Sequence, residues 1–191
     1  ELRNIILVGL LVRLIMLVAG TYYISLPDSQ DDALTFESSA AYWAKDGLLE
    51  FYYNLAQDKL YKFNLFTFGI TFQYILFGRS ILIPLAMGLA VSMGTIILGW
   101  HLTKKIWNGS AAKNVGWLIA LYPSLILYSS LTLREVYIWF FLLLAVNSII
   151  NWSKTYKLKH VILAMINFYI LSLYHGPLLL GGFLFLFIVC F

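Results

Sequence analysis

The sequence predicts an all-α fold: one polytopic transmembrane helix bundle with amphipathic juxtamembrane helices in its first outer loop. Three observations carry this. Hydrophobic residues make up 61% of the chain and charged ones 12%, well outside the range of soluble globular domains. Several runs approach or exceed the roughly 18–20 apolar residues that cross a bilayer. Charge is also sorted along the chain, with seven of the nine acids between Asp28 and Asp58 and most lysines in two short later loops.

The first run, 5–24, lacks a small-residue cleavage site and is followed by further apolar spans. It therefore reads as a retained helix rather than a signal peptide. Arg13 lies near its middle, where a charge costs about 2.5–3.5 kcal/mol on insertion scales; it either snorkels to the interface or faces the bundle interior. Residues 25–80 form the outer loop. Within it DALTFESSAAYWAKDG (32–47) reads as an amphipathic helix, with Phe36, Ala40 and Trp43 on one face and Asp32 placed to cap the start. The segment NLFTFGITFQYILF (64–77) gives a helix of about 21 Å against a hydrocarbon core of about 30 Å, so it is expected to lie at the interface rather than span. Further spans follow at about 81–102, 115–131, 136–152, 158–174 and 178–191. The chain begins without Met and stops inside an apolar run, so it is expected to be the N-terminal part of a longer transmembrane domain.

Charge sets the expected topology. If 64–77 does not span, KKIWNGSAAK (104–113) and KTYKLK (154–159) fall on the side of the N-terminus. Their six lysines then lie inside, as the positive-inside rule requires. The acidic stretch, Arg134–Glu135 and His175 then share the outer side.

Composition and motifs also exclude functions. The net charge of +4 is dispersed among short loops and does not form a nucleic-acid surface. Cys190, the single cysteine, makes no internal disulfide. There is no Walker loop, HExxH or Cys/His pattern with metal-ligand spacing.

The candidate site residues each have a plain structural role beside a chemical one. Asp28, Asp31, Asp32 and Glu37 solvate a loop or build a site. Thr132–Glu135 fits a capping box, and the Arg134–Glu135 pair at a membrane boundary also suits an anionic substrate. His175, in YHGP, is an acid/base group or a structural residue at an interrupted helix.

The order of these features resembles the GT-C superfamily of membrane glycosyltransferases, especially the protein-mannosyltransferase-like group that includes the lipid A aminoarabinose transferases. Asp32, Phe36 and Ala40 match an Asp, an aromatic and an Ala after the first span. Lys62 and Leu76-Phe77-Gly78 match a Lys-led juxtamembrane segment, and YPSLILYSSLTLRE supplies Pro123, Ser129 and Glu135. The match covers about residues 5–150. Two departures stand out: Phe63-Asn64 replaces the family's Pro-Pro, and Glu135 replaces an Asp. The resemblance implies transfer of a sugar from a polyprenyl-phosphate carrier to a glycan, lipid or protein acceptor at the outer face of a bacterial inner membrane. It implies Asp32 as the base, with Asp31 or Asp28 in its place if the register shifts. Glu135 would hold the acceptor or, with Asp32, a divalent cation such as Mg or Mn. Lys62 and Arg134 would take the phosphate, and His175 and Glu37 join them as substrate-binding residues. Two other readings stay open. A polysaccharide polymerase or ligase would rest on Arg134 and His175, and a transporter or structural subunit would rest on neither.

Overall fold

The structure, a computed structural model, describes residues 1–45, 47, 53 and 65–190. Helices account for nearly all of them: α1 (Leu2–Tyr22), α2 (Asp32–Ala44), α3 (Leu65–Phe77), α4 (Leu82–Ile106), α5 (Gly109–Leu121), α6 (Pro123–Ser129), α7 (Glu135–Thr155), α8 (Leu158–Tyr174) and α9 (Leu179–Cys190), with a 3-10 turn at Gly176–Leu178. Three are long and apolar enough to cross a membrane: α1 with 21 residues, α4 with 25 and α7 with 21.

Small residues let α1, α4 and α5 approach closely, as in membrane helix packing generally. A Cβ on Gly116 would stand 3.0 Å from the Trp100 ring and 3.2 Å from Ile5. Ile5, Ile96, Trp100, Ala112 and Ala120 are buried around this contact. A second apolar cluster joins α7, α8 and α9 through Ala145, Ala164, Phe168 and Phe185. A third joins α2 and α3 to Tyr174 of α8 through Ala40, Phe66 and Ile70. Ala40 is fully buried, as the predicted face of 32–47 requires, although that helix ends earlier, at Ala44.

The expected single span at 115–131 is two helices. The chain turns extended at Tyr122 (ψ 120°) and restarts at Pro123. Proline supplies no N–H, so the Ile119 carbonyl loses its helical partner. Arg13 fills the gap. Fully buried, it donates to the carbonyls of Ile119 (3.0 Å) and Ala120 (2.6 Å), to that of Gly9 (3.1 Å) and to Ser92 Oγ (2.8 Å). Of the two roles open to Arg13, the structure takes the interior one. The guanidinium caps the C-terminus of α5, the negative end of its dipole.

The two ends of the bundle differ in charge. Lys113 pairs with Glu1 at 3.1 Å, a contact that holds the Glu1 carboxyl below its ordinary pKa, first by hydrogen bonding and then by charge. Lys105 reaches Asn151 and Lys154 donates to the Lys105 carbonyl at 3.1 Å. Both lysine loops therefore gather at the N-terminal end of α1. The acids from Asp28 to Glu37, and Glu135, lie at the other end.

Candidate functional site at the acidic end

After α1 the chain folds back because Leu26 packs into the space that Gly20 leaves; a Cβ there would overlap the Leu26 side chain. The turn then places Asp28 in the left-handed region (φ 64°), a conformation that Asp tolerates better than most residues. Asp31, not Asp32, is the N-cap of α2, and its side chain makes no capping bond; Asp32 is the first helical residue. The predicted capping box is likewise absent. The Thr132 hydroxyl instead donates to the Ala33 carbonyl at 2.9 Å, and α7 starts at Glu135 with Arg134 as its uncapped N-cap.

That hydrogen bond stitches two distant segments together and brings their acids to one place. Asp28, Asp31, Asp32 and Glu135 line a single cavity of about 180 Å³ with Tyr128 and Leu133. On the far side of the stitched segments lies a larger cavity of about 440 Å³. Residues of this segment divide between the two cavities. Asp28, Asp31 and Asp32 line the smaller, while Ser29, Gln30 and Ala33 line the larger.

Arg134 sits beside the acids. Its Nε is 3.6 Å from Glu135 Oε1, too long for a hydrogen bond. Its Nη1 donates to the Tyr174 carbonyl at 3.2 Å, and the guanidinium lies 5.6 Å from the Phe36 ring centre. His175 follows Tyr174 as the exposed residue after α8 and does not line the acidic cavity. Lys62 lies outside the described residues. Glu37, expected among the substrate-binding residues, is buried with both oxygens engaged. Tyr74 donates to Oε1 at 3.0 Å, and Arg79 donates through Nε to Oε1 at 3.0 Å and through Nη2 to Oε2 at 2.9 Å. The hydrogen bond and then the charge of Glu37 raise the Arg79 pKa further. This clamp joins α2 to the end of α3, and the sequence reading did not anticipate its partners.

Unsatisfied polar atoms concentrate at this end. Among the described residues, five buried side-chain N or O atoms lack a hydrogen-bond partner: Ser29 Oγ, Gln73 Oε1, Arg134 Nε, Glu135 Oε2 and His160 Nδ1. All but His160 belong to the acidic end. Such orphans are rare and call for an explanation, such as a bound group or a catalytic role. Among the described residues no group of three or more His, Cys, Asp or Glu side chains is arranged to hold a metal ion.

The chain matches no protein-family model, no curated protein and no solved structure.

Proposed function

We propose that the chain belongs to a multi-pass membrane glycosyltransferase. It takes a sugar from a polyprenyl-phosphate carrier and passes it to an acceptor hydroxyl at the outer face of the membrane. The observation that carries this reading is the meeting of Asp28, Asp31 and Asp32 with Glu135 in one cavity, although about a hundred residues separate them in sequence. Arg134 Nε and Glu135 Oε2 beside it make no hydrogen bond, although the two residues are ion-paired at 3.6 Å, and so keep hydrogen-bonding capacity in reserve.

In this mechanism Asp32 takes the proton of the acceptor hydroxyl. The hydroxyl oxygen forms a bond to the anomeric carbon, and the bond from that carbon to the phosphate oxygen breaks. The electron pair leaves on the polyprenyl phosphate, stabilised by Arg134 and Lys62. Glu135 holds the acceptor. A Mg²⁺ or Mn²⁺ ion shared by Asp32 and Glu135 would draw the rest of its shell from substrate and water, as Mg²⁺ commonly does. With the lysine end inside by the positive-inside rule, this site faces outward from a bacterial inner membrane.

The test is sugar transfer from a polyprenyl-phosphate donor in membranes, comparing the parent protein with Asp32→Asn and Glu135→Gln at matched expression. General-base removal should cost about 10²–10⁴ in rate. Full activity in both variants would refute the assignment. A second reading has its own support, since Arg134 bonds to the backbone carbonyl of Tyr174, the residue before His175. A polysaccharide polymerase or ligase built on that pair would lose activity in Arg134→Gln and His175→Ala and keep it in Asp32→Asn.

A further inference from the structure

The larger cavity at the acidic end has no part in the mechanism above, and its lining is specific. Thr21, Ser25, Ser29, Gln30, Ser130 and Thr132 line it; the Ser130 and Thr132 hydroxyls already donate to backbone carbonyls, whereas Ser29 Oγ is buried without a partner. Among the described residues no Lys, Arg or His lines it, and the one carboxylate among them is Glu37, already neutralised by Arg79. A phosphate in this space would find no cation among the described residues and would sit one backbone away from Asp28, Asp31 and Asp32. An uncharged group rich in hydroxyls would find many donors and acceptors.

An apolar groove lies beside the cavity: Tyr23 lines both it and a groove of about 380 Å³ formed by Leu14, Ile15, Val18 and Ala19 on the outer surface of α1. Ile15 is 61% exposed, so the groove opens away from the bundle. Residues 14–23 correspond to about 14 Å of helix, room for part of a hydrocarbon chain. The pairing of a neutral polar chamber with an apolar groove fits an amphiphile.

We infer that the cavity and groove together bind a lipid with an uncharged, hydroxylated headgroup, the chain along α1 and the headgroup beside the acids. This lipid is the acceptor, a role that rests on the glycosyl-transfer reading; the binding does not.

The experiment is native mass spectrometry of the full-length protein released from phosphatidylcholine nanodiscs. The probes are monoglucosyl diacylglycerol and phosphatidylglycerol, two lipids that share hydroxyls and acyl chains and differ in charge. The expected result is at least tenfold greater retention of the glucolipid. Leu34→Arg places a cation at a half-exposed position in the cavity wall and should reverse the preference. Such a reversal cannot come from misfolding. Ala19→Phe, which fills the groove, should lower retention of both lipids. Equal retention of the two probes by the parent protein, or competition by methyl glucoside as strong as by the glucolipid, would overturn the inference. Glucolipid retention without any sugar transfer would sink the glycosyltransferase and leave the lipid site standing.

Discussion

Replacing Arg13 with Met should separate two effects that usually travel together. The substitution keeps an unbranched apolar stem, shortens the side chain and removes four hydrogen bonds. The lost bonds are not equivalent. Gly9 sits inside α1, so its carbonyl still has the helical ladder, and Ser92 can turn to its own helix. The carbonyls of Ile119 and Ala120 face the break before Pro123 and have no other donor. Two orphaned buried carbonyls cost about 1–3 kcal/mol each, so the assembled bundle should lose about 2–6 kcal/mol. Insertion of α1 should become easier by about 2.5–3.5 kcal/mol, because a mid-membrane charge is gone. Reversible unfolding in mixed micelles reads the first effect, and a glycosylation-based insertion assay of α1 alone reads the second. Adding Pro123→Ala restores an N–H opposite Ile119 and should recover about 1 kcal/mol, but only in the Met background. A variant as stable as the parent, or a Pro123→Ala effect equal in both backgrounds, would refute the capping role.

Other positions make shorter predictions. Gly20→Val should displace Leu26 and the acidic turn behind it, costing about 1–3 kcal/mol for overpacking and abolishing sugar transfer; retained transfer would mean that the turn does not depend on this contact. Tyr74→Phe removes a buried donor to the Glu37 carboxylate and should cost about 1.5–3 kcal/mol in the same micelle unfolding assay, while no change would make Arg79 sufficient alone. Ser25→Cys and Lys157→Cys should react with a membrane-impermeant maleimide from opposite faces, Ser25→Cys from outside. Labelling of both from one face would overturn the topology.

The helix positions were largely readable because they follow from apolar runs and their polar borders. The sorting of lysines and acids to opposite ends was readable for the same reason, since each short loop carries its own charges. What escaped depends on atoms far away in sequence. Hydropathy runs smoothly through Tyr122–Pro123, so the broken helix looks continuous until the carbonyls behind Pro123 are followed to Arg13. Thr132 and Glu135 have capping-box spacing, but the Thr hydroxyl finds the Ala33 carbonyl, 99 residues earlier, a better partner than its own helix. Glu37 resembles its acidic neighbours in sequence, and only Tyr74 and Arg79 separate it from them. Charge topology placed Asp28, Asp31, Asp32 and Glu135 on one side of the chain, but not in one cavity, which depends on the Thr132–Ala33 contact.

The Arg13 contact also sets a clock for biosynthesis. Ala120 emerges 107 residues after Arg13, so at about 5–20 residues per second the ribosome needs about 5–20 s to deliver the acceptor. During that interval the first helix holds a guanidinium whose partners on α5 do not yet exist. In the proposed multi-pass topology the nascent segment keeps that group hydrated at the bilayer edge or within the insertion machinery until α5 arrives. Slowing translation before α5 has left the ribosome would prolong this stage and expose the chain to membrane proteases, whereas slowing it later would not.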